Sequence, residues 1–392
     1  MKILVVCQYY HPEPVRITDM CKELLLRGHS VTVLTGIPNY PMGKIYPGYK
    51  NSRVKNEIID GVHVIRCKTI PRRKSIFYRL LNYFSFALSA LREIDSLDDD
   101  YDVVFINQQS PIMMSWPGIK YAHRHHKKLL MYCMDLWPAS LTVGGIRPNS
   151  LIYKLFFAIS KRIYRQMDTI LGTSRMFGDY LHRNFEIPLN KLEYLPQYSE
   201  TIFDDVTSLD NGKIDLMFAG NIGTAQNVDV IINAARILQN RNDIIWHIVG
   251  DGVELEKIKT LSSGLTNVMF HGRKPLDEMP DLYSLADCML VTLIDDYDLS
   301  LTLPGKVQTY MEAGKPIIAA ANGETAHIIE DAHCGFCVPA GDSKKLAEAV
   351  LKFVENKAAT NYGCNAKKYC LENFNKDSFF DILEKHLKRH EG

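Results

Sequence analysis

Between Leu216 and Ile318 the chain repeats one pattern: an apolar run short enough for a buried strand, then at once a glycine-containing turn. Leu216-Met-Phe-Ala-Gly-Asn-Ile-Gly223, Trp246-His-Ile-Val-Gly-Asp-Gly252 and Val268-Met-Phe-His-Gly-Arg-Lys274 follow one another. Pro304-Gly-Lys-Val-Gln-Thr-Tyr-Met-Glu-Ala-Gly-Lys-Pro-Ile-Ile318 closes the series. Strands spaced like this, with helices between them, form an open parallel sheet, whose ligands sit in the crevice beyond the strands' carboxyl ends. Glycine at that edge lets backbone N–H groups approach a phosphate, and a following helix adds its positive N-terminus. The ordered series predicts a nucleotide-diphosphate site.

The first half shows the same alternation. Lys2 to Val6, Ser30 to Leu34, Val62 to Cys67, Asp102 to Asn107 and Leu129 to Cys133 read as strands. Ile17 to Arg27, Ile76 to Ile94 and Ile112 to His125 read as helices, with Gly28 placed for a left-handed helix end. The expected class is therefore α/β, with two Rossmann-like domains. These are residues 1–195, a polar, turn-rich linker at 196–213, and a second domain at 214–375. A helical tail follows, and its last helix (376–392) is placed to pack back on the first domain.

Composition narrows the function classes. The 392 residues are 46% hydrophobic and 23% charged, ordinary for a globular protein. No run reaches the ~18 apolar residues of a membrane span. Met1-Lys-Ile-Leu-Val-Val6 is too short an apolar stretch for a secretory signal, so a cytoplasmic location is expected. Nine scattered cysteines fit a reducing compartment, and Cys334-Gly-Phe-Cys337 lacks the second pair of a zinc site. The 13 histidines show no metal spacing. Asp296-Tyr-Asp298 is a literal Asp-x-Asp, but Asp100-Tyr-Asp102 shows how cheaply that pattern arises. No metal is expected.

The net charge of +1 conceals an asymmetry. Residues 1–195 carry 27 Lys and Arg against 16 Asp and Glu, and the remainder carry 19 against 29. A basic half faces an anionic partner. No nucleic-acid motif accompanies it, so the readings are an anionic membrane surface or an uneven surface charge without function. Ile76 to Ile94 has one narrow polar stripe (Tyr78, Asn82, Ser85, Ser89, Arg92) and follows the basic cluster Arg72-Arg73-Lys74. Leu151 to Arg165 is similar, with Lys and Arg beside aromatic residues. Helices so apolar are either buried or lie in a membrane interface. On the second reading Arg72, Arg73, Lys74, Phe77 and Phe84 make the membrane or acceptor contact, and the protein sits peripherally at the inner face of the cell membrane.

Several segments together resemble glycosyltransferase family 4. They are Arg27-Gly-His-Ser-Val-Thr-Val-Leu34, Gly172-Thr-Ser174, Val249-Gly-Asp-Gly252 and above all Tyr310-Met-Glu-Ala-Gly-Lys-Pro-Ile-Ile318. Tyr9-Tyr-His-Pro-Glu13, Met134-Asp-Leu-Trp-Pro138 and Gly220-Asn-Ile-Gly223 narrow the likeness to enzymes of bacterial surface polysaccharides. The resemblance implies the GT-B fold and a metal-independent transferase. It implies retention of anomeric configuration, with a sugar such as an N-acetylated hexosamine or N-acetyl-fucosamine moved from a UDP-sugar to a polyprenyl-diphosphate-linked acceptor. The nucleotide sugar is then a substrate, and no cofactor is implied.

Departures from the family pattern bear on the site. Its paired glutamates fall on Leu301 and Thr309, and its Arg and Lys after the second domain's first strand fall on Asn221 and Gln226. Diphosphate charge must be met elsewhere, by Lys306 behind Gly305 and then by Arg273. Gly223 and Gly250 are expected to line the donor, and Thr309 or Glu312 to hold the ribose. In the first domain, Arg16 is expected to face the leaving diphosphate, Glu13 a sugar or acceptor hydroxyl, and Asp135 the attacking hydroxyl, unless Asp135 merely caps a turn. Two rivals stay open: a hydrolysing UDP-N-acetylhexosamine 2-epimerase of the same fold, and a non-enzymatic sugar-binding protein.

Overall fold

The computed structural model describes residues 1–50, 55–71, 76–98, 100–142, 145–204, 206–356 and 361–388, without the side chains of 76, 77 and 79. Arg72, Arg73, Lys74 and the Phe77 side chain lie outside the described residues. The chain forms two compact units, Met1–Leu195 with the segment from Phe380 onward, and Pro196–Phe379.

The first unit is built on eight strands: β1 Lys2–Val6, β2 Ser30–Gly36, β3 Asn56–Ile59, β4 Val62–Cys67, β5 Val103–Gln108, β6 Lys128–Cys133, β7 Thr169–Gly172 and β8 Leu192–Tyr194. Their order is β3-β4-β2-β1-β5-β6-β7-β8. All pairs are parallel except β3 with β4, a hairpin turned by Asp60 and Gly61, both at positive φ. That hairpin was not read from the sequence, because 56–59 alternates exposed with half-buried residues and carries little apolar signal. Central strands β1 and β5 are buried almost throughout, as covered parallel strands require. Gly28 has φ +87° at the end of the first helix.

The long helix Ile76–Glu93 turns most of its polar stripe toward protein, with Arg92 near its end exposed. Asn82 is fully buried, its amide donates to the Ile70 carbonyl at 2.7 Å, and Ser89 donates to the Lys68 carbonyl at 2.6 Å. Ser85 accepts from the Ile70 N–H at 2.9 Å. The stripe ties the helix to the backbone that leaves β4. Leu88 beside the stripe is exposed, while Phe84 is half-buried between Trp116 and Phe156, with ring centroids 6.0 and 6.3 Å away. Phe84 is thus an aromatic packing residue rather than an outward contact.

The second unit holds β9 Ile214–Ala219, β10 Ile244–Val249, β11 Val268–Gly272, β12 Cys288–Thr292, β13 Ile317–Ala320 and β14 Gly335–Val338, ordered β11-β10-β9-β12-β13-β14 and wholly parallel. Apolar clusters cover both faces, one around Met217, Met289, Tyr310 and Phe374, the other around Leu216, Trp246, Leu290 and Phe353. Within the stretch expected as a linker, Phe203 is buried and stacks on Tyr283 at 4.9 Å. The tail consists of helices Ser343–Asn356, Tyr362–Asn373 and Lys376–Lys388. From Phe380 on, the last one belongs to the first unit, where Arg27 pairs with Asp381 at 3.0 Å.

Candidate functional site

In the second unit the carboxyl ends of β9, β10 and β11 carry turns that grip one another. Gly220 N–H donates to the Val249 carbonyl, Ile222 N–H to that of Asp251, and Gly250 N–H to that of Gly272, at 2.8 to 2.9 Å. A Cβ on Gly250 would stand 1.8 Å from the Gly220 oxygen, and one on Gly252 would stand 2.3 Å from that of Ile222. These glycines are required by close packing of backbone on backbone. The Gly250 N–H is spent on Gly272, and this glycine shapes the rim of the site.

Beside this rim begins the helix Gly305–Glu312, with Pro304 before it and no side chain capping its N-terminus. Its first N–H groups lack intrahelical partners, as in any helix. A Cβ at Gly305 would meet nothing within 4 Å, so the approach to that end is open. Tyr310 sets the helix in place. Fully buried, its hydroxyl donates to the Ala219 carbonyl at 2.8 Å and accepts from the Ala219 N–H at 2.9 Å. That insertion is possible because β12 pairs with β9 only at Cys288–Leu216 and Met289–Met217 and then diverges.

One turn before Tyr310, Lys306 is thereby carried to the end of β9. Its Nζ lies 3.8 Å from the centre of the Phe218 ring, and a Cβ on Gly220 would stand 2.9 Å from it. The Nζ is shielded from solvent and has no hydrogen-bond partner. Burial alone pushes this ammonium down to about 7, with no carboxylate acting against it. An unpaired cation so placed costs stability, and the arrangement suits an anion brought from outside.

The other donor-side candidates fall into place around it unequally. Asn221 and Gln226 bond to each other (Nδ2 to Oε1, 3.1 Å) over Gly223, where a Cβ would crowd Asn221 to 2.6 Å. Two neutral amides thus close the place where the family pattern has cations. Thr309 donates to the Gly305 carbonyl at 3.2 Å. Arg273 lies exposed beyond β11. Glu312 is turned inward: it accepts from Ser199, from Lys367 at 2.8 Å and from the Cys370 thiol at 3.0 Å. Its carboxylate is occupied in holding two helices together, so the ribose assignment does not suit it. Leu301 is buried, in keeping with the lost carboxylate there. Asp296 accepts from the Leu299 N–H as a helix cap, and among the described residues no group of three or more His, Cys, Asp and Glu could hold a metal ion.

In the first unit the corresponding strand ends are those of β1, β2, β5 and β6. Glu13, expected to meet a hydroxyl, is instead a buried clamp. Its carboxylate accepts from the N–H groups of Tyr10, Asn39 and Tyr40 at 3.0, 2.7 and 2.7 Å and joins the turns after β1 and β2. Burial pushes it up to about 7 against those three donors. Arg16 directly precedes the helix Ile17–Leu26, and its charge acts on the buried Tyr132 hydroxyl at the end of β6. Asp135 follows β6, half-buried, and accepts a hydrogen bond from the Ser110 hydroxyl, which also lies 3.2 Å from that of Ser140. Ser110 was missed in the sequence, although Gln109-Ser-Pro111 directly after β5 is the signal that could have pointed to it.

Comparisons with known proteins bear on the family and the fold. The family model described as Glycosyltransferase Family 4 matches residues 14–197, and the one described as Glycosyl transferases group 1 matches residues 199–369. WcaI of Escherichia coli, assigned to colanic acid biosynthesis as a glycosyl transferase, is 27% identical over 83% of this chain and 84% of its own length. In fold, the chain is similar to HepE of Anabaena, solved with UDP (TM-score 0.72, 14% identity, 99% of each chain). It is also similar to sucrose-phosphate synthase of Thermosynechococcus elongatus (TM-score 0.76, 16% identity, 98% of each chain).

Proposed function

We propose, for a chain that belongs to glycosyltransferase family 4 and has the GT-B fold, transfer of a sugar from a UDP-sugar to a polyprenyl-diphosphate-linked glycan in surface-polysaccharide synthesis. One observation carries the reading: the unpaired Lys306 ammonium beside the open end of the helix Gly305–Glu312. A donor diphosphate there gains a charge-assisted contact, backbone N–H donors and the helix dipole. The UDP bound by HepE supports the donor, and the pathway named for WcaI supports a role in polysaccharide synthesis.

Transfer with retention would break the bond between the anomeric carbon and the diphosphate while the acceptor hydroxyl bonds to the same face. The proton of that hydroxyl passes to the departing phosphate. Lys306 stabilises the charge that grows on the leaving group, the contribution that most lowers such a barrier. Asp135, oriented by Ser110, holds the attacking hydroxyl, and Arg16 supplies further positive charge on the acceptor side. Attachment to an anionic membrane surface follows from the basic first half, and liposome pelleting that weakens as salt rises tests it.

The test of the whole reading is a panel of nucleotide sugars offered with an undecaprenyl-diphosphate-linked acceptor analogue and scored for product. UDP release that requires the acceptor supports transfer. Release without acceptor supports the 2-epimerase reading, and binding without turnover supports a sugar-binding protein.

A further inference from the structure

The helix Leu151–Tyr164 leaves apolar side chains in water that its fold does not use. Leu151 is 84% and Leu155 60% exposed, and half-buried Ile159 continues the same face at four-residue spacing. The row does not stop at the surface. It leads into a groove of about 470 Å³, where Ile159 meets Leu91, Trp116 and Ile119 and where Lys120 and Arg162 stand at the rim. Small-molecule sites occupy roughly 300–1,000 Å³, and contiguous exposed apolar rows of this kind mark interaction surfaces.

Direction and charge say what would lie there. The helix starts in the connection from the carboxyl end of β6, the edge that bears Asp135, and ends just before β7, at the opposite edge of a parallel sheet. The row therefore begins near the proposed acceptor residues and leads away from them. Its flanks are basic. Lys154 and Arg162 are exposed; Lys120 is paired with Asp95 at 2.6 Å, whereas Arg162 has no carboxylate partner among the described residues. A branched hydrocarbon chain attached to an anionic head fits both features.

We propose that the Leu151–Leu155–Ile159 row and its groove hold the isoprenoid tail of the acceptor, a polyprenyl-diphosphate lipid. This rests on the lipid-linked acceptor reading. It explains why the leucines are tolerated in water: the tail covers them in the working complex. Phe84, packed at a tilt against Trp116 of the groove wall, then contributes as support for the tail site.

The test uses the full chain and acceptors that share one diphosphate-linked sugar but differ in tail length. Wild type should show a KM that falls as the tail lengthens. Leu155→Gln, at an exposed position where folding is indifferent, should raise KM for the long-tail acceptor about tenfold, and Leu155→Gln/Ile159→Gln further. The kcat on the short-tail acceptor should be unchanged. A tail dependence that survives intact in both variants overturns the tail site while leaving the acceptor class standing. A wild type indifferent to tail length defeats the acceptor reading itself. Two controls complete the set: loss of binding to acceptor-free liposomes in Leu155→Gln would assign the row to the bilayer, and dissociation of a wild-type dimer would assign it to a second copy. Either would overturn the proposal.

Discussion

Lys306 of the second unit and Glu13 of the first are buried charged candidates in opposite states. In the second, Lys306 is shielded and has no partner, held over Phe218 by a helix that Tyr310 pins to β9. In the first, Glu13 is surrounded by three backbone N–H groups and Asp135 already accepts from Ser110. A buried charge without a partner lowers stability and is retained for what it will bind, whereas a fully bonded carboxylate holds turns together. The difference separates Lys306, which waits for a ligand, from Glu13, which builds the scaffold.

The largest effect should fall on the scaffold side. Glu13→Ala orphans three backbone donors, two of them buried, and should cost about 3–5 kcal/mol of stability, read as a lowered Tm, with UDP affinity of the folded fraction unchanged. If Glu13→Ala folds normally and loses only turnover, Glu13 is a substrate residue after all. Next comes Asp135→Asn, expected to lower kcat by about 100-fold through loss of hydroxyl positioning, with UDP affinity kept. Normal turnover in Asp135→Asn would reduce Asp135 to a turn residue. Smallest is Arg273→Ser: an exposed residue of the β11 loop should change UDP affinity by less than about fivefold, since screened contacts are worth up to about 1 kcal/mol. A larger loss would move the diphosphate toward β11.

What could be read from the chain follows from which signals are local. Strand and helix positions such as Lys2–Val6 and Ile17–Leu26 agreed within a residue, because apolar period and the Gly28 end signal are properties of neighbouring residues. The antiparallel β3 escaped, having too little apolar content. Orientation was the harder part. The polar stripe on Ile76–Glu93 bonds the backbone at Lys68 and Ile70, partners that only the fold brings there. Glu312 sits nearly two turns from Lys306 in a motif that suggests ligand binding, yet its carboxylate points to Ser199 and Lys367. Likewise, glycines read as phosphate turns proved, at Gly250 and Gly252, to be sites where two loops touch.

The account stands most directly on Lys306, and calorimetric titration of UDP from pH 6 to 9 tests it in wild type and Lys306→Met. Burial holds the free ammonium down to about 7, below its ordinary 10.5. In the unliganded protein the folded state therefore binds fewer protons than the unfolded chain between about 7 and 10.5, so this group's destabilising effect is relieved as pH rises through that window. A diphosphate restores the charged form. UDP binding above pH 7 should then take up a proton, and affinity should fall as pH rises, up to about tenfold per unit. Lys306→Met should bind UDP about 10- to 150-fold more weakly below pH 7, the worth of one charged hydrogen bond, and should lose that pH slope without losing Tm. Equal affinity and an equal slope in the two proteins would contradict the assignment of the diphosphate to Lys306.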